Sequence, residues 1–227
     1  MAAKKSRPRI CYLCGKRFAK GEARTADHVP PRQFYPKCFA GEMKKPLLTL
    51  PTHRECNESY QPDEDYFVSS LAPAVVESFV GQRLWRDSLA SLRKQEARGL
   101  YHRIRGEFSK TTPSGLWLPG LVYKTVDARR TRRVVWKITR GLFLHETGGF
   151  LAEDTRGHID FVPPHTQPPG YLSYLFQNET KARGTYPGAF DYEFARVPEC
   201  DNSHLWAFLF WERIIFVVWF SDPCPAT

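Results

Sequence analysis

Cys11 and Cys14 stand three positions apart, and so do His53 and Cys56. Each run offers two soft ligands at the spacing that a tetrahedral zinc ion needs. Between them lies Asp27-His28-Val29-Pro30-Pro31, and Asn57 follows Cys56 directly. A metal-stapled unit would thus carry a carboxylate, an imidazole and an amide within one small segment. That combination points to phosphodiester chemistry. Hydrolysing such a bond needs an activated nucleophile and relief of charge on the leaving oxygen. A histidine titrating near neutrality can deprotonate water, and a hard divalent ion with oxygen ligands stabilises the developing charge.

The chain that must position these residues has 227 of them, enough for one large domain or two small ones. With 42% hydrophobic and 14% aromatic residues it can bury a substantial core, which excludes a disordered chain. The formal charge of +9 points to a polyanionic partner. Its distribution is uneven: residues 1–60 carry 13 Lys and Arg against 5 Asp and Glu, whereas residues 141–227 carry 5 against 11. The positive excess therefore lies on the segment with the candidate ligands. Met1 to Lys20 is basic and polar without an apolar core, so a reducing, cytoplasmic location is expected, where Cys-x-x-Cys reads as metal rather than disulfide. Leu205 to Phe220 is too short to cross a membrane and Glu212-Arg213 interrupts it; two strands joined by a polar turn fit better.

Residues 10–60 are rich in turn formers and charge, with short β-prone runs at Ile10–Tyr12 and Leu47–Leu50. Such a segment needs a staple, and zinc supplies one. Pro62 followed by Asp63, Glu64 and Asp65 marks a helix start. Helical spacing of apolar residues continues to about residue 100, interrupted at Pro73, and 106–120 reads as loop. Asp127 to Leu144 predicts a second helical region, with Val134, Val135, Ile138, Leu142 and Phe143 on its apolar face and Gly148-Gly149 after it. From 157 on the pattern is β, and the runs 188–197, 204–211 and 214–220 predict an antiparallel meander with turns at Asp201-Asn202-Ser203 and Glu212-Arg213.

The pattern Cys11-x-x-Cys14, Asp27-His28, a hydrophobic strand and His53-x-x-Cys56-Asn57 resembles the HNH endonuclease family, the ββα-metal finger nucleases, in their zinc-stapled form. The resemblance covers about residues 10–68. It implies a structural zinc on Cys11, Cys14, His53 and Cys56, with His53 where the family more often has cysteine. It implies that Asp27, ending the first strand, and Asn57, near the start of the helix, bind a catalytic Mg²⁺ or Mn²⁺, and that His28 is the general base. Neighbours in a strand point to opposite faces, so a bend or the adjacent helix must bring Asp27 and His28 to one phosphate. The family's middle asparagine, which orients the histidine, has no equivalent in Lys44-Lys45-Pro46-Leu47-Leu48-Thr49; a backbone carbonyl or another side chain, Gln33 being one candidate, could take its role, or the role is absent.

The fold expected is therefore α+β: an N-terminal zinc-stapled finger over 1–68, then an accessory domain over 69–227 of helices and a C-terminal antiparallel meander. Arg129, Arg133, Lys137 and Arg140 share one face of the predicted helix, where they could follow a nucleic-acid backbone or form a solvated face paired with the acidic C-terminal part. Cys38, Cys200 and Cys224 read as spare thiols, and the aromatic strands read as core rather than a base-stacking platform. The function expected is metal-dependent hydrolysis of nucleic acid, DNA in the first place, with no membrane partner. The alternative is a zinc-stapled nucleic-acid-binding module without catalysis.

Overall fold

The computed structural model describes residues 10–41, 46–117, 119–167, 169–170, 172, 183–184, 188–196 and 203–221. Strands β1 (Arg24–His28) and β2 (Thr49–His53) form an antiparallel pair, with Arg24 opposite His53 and His28 opposite Thr49. The run Leu47–Leu50 thus belongs to a strand that begins at Thr49, and Ile10 makes only an isolated bridge with Arg17. A short helix α1 (Arg54–Glu58) follows β2 at once, and α2 (Gln61–Leu71) comes next. The order along the chain is thus β1, β2, α1.

Pro62 sits in the first turn of α2, and the interruption at Pro73 is a 3-10 turn over Ala72–Val75. Helix α3 (Phe79–Leu92) starts on Ser78, whose Oγ accepts from Gly81 N at 2.9 Å. Helix α4 (Arg98–Gly106) is followed by a small ladder of β3 (Phe108–Ser109) and β4 (Tyr123–Lys124), inside and just beyond the stretch read as loop. Helix α5 (Ala128–Thr147) opens on Asp127, whose carboxylate accepts from Arg129 N and Arg130 N at 3.1 and 3.2 Å, and closes at Gly148.

The C-terminal part is a four-stranded antiparallel sheet of β5 (Gly157–Val162), β6 (Phe190–Arg196), β7 (Ser203–Phe210) and β8 (Ile214–Ser221), in the order β5-β8-β7-β6. The meander β6-β7-β8 matches the three runs read from the sequence, and β5 adds to its edge. The β7–β8 turn spans residues 211–213 and so contains the expected Glu212-Arg213, with Trp211 and Glu212 both left-handed at φ 51° and 63°. Arg213 N closes this three-residue connection by donating to Phe210 O at 3.1 Å. The predicted turn at Asp201-Asn202, with Pro168, Cys200 and Cys224, lies outside the described residues. No helix among the described residues is long and apolar enough to cross a membrane.

Among the described residues the largest of three buried hydrophobic clusters runs from Cys11 to Phe220 and joins residues on both sides of position 68; smaller ones lie around Leu205 and Val217 and around Tyr66 and Ile104. The centre of the largest is a group of rings. Phe34 stacks on Phe67 at 5.0 Å, both meet Phe210 and Trp211, and Trp211 Nε1 donates to Phe34 O at 2.8 Å. The aromatics of β6–β8 are therefore spent on packing against the β1–β2 connection and α2.

Candidate functional site

Cys11, Cys14, His53 and Cys56 converge: their ligand atoms all lie within 4.8 Å of one another. Around bound zinc the corresponding separations are about 3.8 Å, from Zn–S bonds near 2.3 Å in a tetrahedron. His53 Nδ1 faces the sulfurs of Cys14 and Cys56 at 3.2 and 3.9 Å, and its Nε2 meets Glu22 Oε1 at 3.4 Å. A carboxylate on the outer ring nitrogen is the usual way to fix a metal-binding imidazole. Burial and the adjacent Cys11 sulfur push the Cys56 thiol up to about 12. Burial also acts to raise Cys11, but hydrogen bonds from Thr52 and from backbone amides outweigh it and bring that thiol down to about 6. Crowded thiolates oppose one another's ionisation, and a divalent cation among them removes the conflict. The residues present fit a closed structural site for a metal such as zinc.

The sequence builds this site from two turns. Gly15 has φ 71°, which lets the chain reverse after Cys14, and a Cβ there would lie 2.6 Å from the Phe150 ring. Arg140, only 1% exposed, holds the same turn from below: its guanidinium donates to Leu13 O and, at 3.0 Å, to Leu151 O. The second pair of ligands straddles the junction of β2 and α1, with His53 at the strand end and Cys56 in the helix.

The antiparallel register places Asp27 three residues from the cluster end of β1, roughly 10 Å along the strand. Asp27 is 5% exposed. Its Oδ2 accepts from the Tyr12 hydroxyl and meets the Lys137 ammonium at 2.7 Å. Lys137 also pairs with Glu64 on α2, and Lys137 is 1% exposed. Burial and the Asp27 charge hold Tyr12 well above the ordinary phenol range, so it is the donor. Burial raises the Glu64 carboxyl, and Lys137 acts against that. Two carboxylates from different elements thus converge on one cation. Asp27 Oδ1 makes no hydrogen bond among the described residues.

His28, at the end of β1, is half-buried and its ring has no hydrogen bond among the described residues. Burial lowers its pKa from 6.5; the Asp27 charge opposes this, while Arg32 and Lys137 add to it. The ring is neutral at pH 7 and free to accept a proton. Asn57 lies half-buried on α1, and its side chain makes no hydrogen bond to Asp27 or His28. Gln33 does not reach His28: its Oε1 accepts from Gln61 Nε2 at 3.2 Å.

The basic face expected on α5 is not a solvent face. Of Arg129, Arg133, Lys137 and Arg140, only Arg129 is exposed and without an ion pair among the described residues. Arg133 pairs with Asp63 at 2.5 Å, donates to Ser59 O at 2.8 Å and lies 4.0 Å over the Tyr60 ring. Lys137 and Arg140 are buried, as above. Helical spacing did align 133, 137 and 140, but α2 and the Cys11–Cys14 turn pack on that side. Their acids and carbonyls take the charges, and the partner is α2 rather than the acidic C-terminal part.

Sequence spacing missed Tyr12, Glu22 and Glu64, whose partners in this site, Asp27, His53 and Lys137, are 15 or more residues away. The acidic start of α2 was legible, but as a dipole effect; Asp63 and Glu64 in fact point at α5. Gly141 on α5 is a further positioning residue. A Cβ there would lie 2.8 Å from both Val29 methyls and 3.3 Å from Leu50 Cδ1, so its absence lets α5 close on the β1–β2 pair next to Asp27 and His28. Gly141→Ala is expected to cost about 1–2 kcal/mol, the overpacking penalty less the gain in helix propensity. A melting curve should drop by about 2–8 °C; an unchanged curve would show that Val29 yields freely.

No family model matches this chain, and no curated protein or solved structure is significantly similar to it.

Proposed function

We propose that this protein is a metal-dependent endonuclease of the ββα type, hydrolysing phosphodiester bonds in nucleic acid, with DNA as the first substrate to test. The observation that carries the reading is the order β1, β2, α1, held at one end by the Cys/His cluster and ending β1 on Asp27-His28. His28 takes the proton of the attacking water. Its neutral ring at pH 7 and unoccupied nitrogens suit that task. Mg²⁺ or Mn²⁺, when bound, would be held by Asp27 and Asn57 and would offset the charge growing on the leaving oxygen. The free Asp27 Oδ1 and the uncommitted Asn57 amide supply the hard oxygen donors such an ion takes. The cluster of Cys11, Cys14, His53 and Cys56 holds structural zinc and takes no part in the chemistry.

A nicking assay on supercoiled plasmid and on single strands, with Mg²⁺ or Mn²⁺ added, tests the reading. His28→Ala should cut at least about 10²-fold more slowly than wild type; equal rates would refute catalysis at this site. A base must be unprotonated to act, so activity should hold to below pH 6.5 before it falls with acid.

The Lys137 ammonium on Asp27 favours a second reading, a zinc-stapled nucleic-acid-binding module that does not cut. There the lysine supplies permanently the positive charge that a divalent ion would otherwise bring. That reading expects salt-dependent binding, unchanged in His28→Ala, with no scission under any metal.

A further inference from the structure

Two cavities lie side by side where the end of α3 meets the start of α4. The larger, about 660 Å³, and the smaller, about 590 Å³, share Leu92 and Lys94 in their walls. Both volumes are in the range of ligand sites. The larger begins at Arg32, whose charge reaches His28. Its walls carry Arg32, Lys37 and the shared Lys94 together with Asp65, Asp87 and Glu96, and its floor is apolar, with Val68, Leu84, Leu92 and Leu100. Within that wall Ser88 is 4% exposed, and its Oγ has no hydrogen-bond partner. Buried hydroxyls are rarely left so, and this one belongs to the cavity wall, where a group in the cavity would complete its bonding.

The smaller cavity is different. Arg93, Lys94 and Arg98 line it without a single acid, and none of the three forms an ion pair among the described residues. On α5, by contrast, Arg130, Arg133 and Lys137 are consumed by internal acids. Tyr101 adds an aromatic ring 43% exposed at the rim.

We infer that the two adjacent cavities hold an unpaired stretch of nucleic acid: phosphates on Arg93, Lys94 and Arg98, one base stacked on Tyr101, and another in the larger cavity against Leu92 within reach of Ser88. An apolar-floored cavity with charges of both signs suits a base, and one whose only charges are cationic suits the backbone. A paired base cannot enter such a cavity, so a single strand or a frayed end is the form bound. The inference rests on the nucleic-acid reading of this protein but not on cleavage.

The test is polarisation of a short labelled DNA single strand with the full chain, without added Mg²⁺ or Mn²⁺, beside its duplex. The single strand should bind at least about tenfold more tightly. Arg93→Ala/Lys94→Ala/Arg98→Ala, all at exposed positions, should weaken single-strand binding at least tenfold and reduce the salt slope by about two. Tyr101→Ala should weaken it about tenfold, and Arg129→Ala should not. A mononucleotide should displace the strand at concentrations where inorganic phosphate does not. Undiminished binding by the triple variant, equal affinity for duplex, or equal competition by phosphate each overturns the inference, whether or not the wild type cuts. Loss of cutting in His28→Ala with binding intact leaves it standing.

Discussion

Cys56→Ser is expected to release the metal and to unfold much more than the first sixty residues. Three thiolates and one imidazole hold zinc with an apparent binding energy on the order of 10 kcal/mol at pH 7, and most of that is folding energy when the segment cannot fold alone. Residues 10–60 have little apolar mass of their own, yet Cys11, Tyr12 and Leu13 are buried in the shared core. Arg140 ties the Cys11–Cys14 turn to α5 through Leu13 O. Losing the turn therefore strips partners from the central helix. Elemental analysis should give about one zinc per wild-type chain. Cys56→Ser should lose it and about 5 kcal/mol or more of stability. Cys38→Ser, exposed and outside the cluster, should stay within about 0.5 kcal/mol of wild type. A Cys56→Ser protein that melts as wild type does would remove the metal from the folding account.

Lys137→Met should be the most damaging change away from the cluster. It leaves Asp27 and Glu64 as buried carboxylates without their shared cation, at a cost of about 3–5 kcal/mol. The loss should depend on pH in a defined direction. Burial already raises Glu64 above 4.5, and without the ammonium its folded-state pKa rises further. A carboxyl raised in the folded state supports folding below its unfolded pKa and loses that support as pH climbs through the folded value. The Lys137→Met deficit should thus be small near pH 4 and grow towards neutrality, as read from urea unfolding at several pH values. Adding Asp27→Asn and Glu64→Gln should recover much of it. A deficit that is flat with pH would show that Lys137 acts by packing its stem rather than by its charge.

The cluster was legible because its ligands come in two short runs, and short spacing is what a sequence displays best. The helices and the β6–β8 meander were legible for a similar reason: period and turn residues are local signals. Strand β5 was less so, since its burial is decided by β8, more than fifty residues on. The α5 basic face failed in an instructive way. Amphipathic spacing distinguishes apolar from charged sides, but it cannot tell a charged side facing water from one facing Asp63 and Glu64. The same blindness hid the role of Asp27, whose company includes Tyr12 and Lys137 as well as any ion. The cavities beside α3 and α4 had no motif at all, because they arise where helix ends meet.

The contact between Trp211 and Phe34 spans 177 residues. On a ribosome, a chain made at roughly 5–20 residues per second waits about 10–35 s between the two. Through that interval the N-terminal hairpin has its metal ligands but not the rings that seal its core. Early capture of the ion would keep three thiols from oxidation and the hairpin from stray pairing while the rest is made. Metal supply during synthesis, more than the stability of the finished protein, would then set how much folded chain a cell obtains.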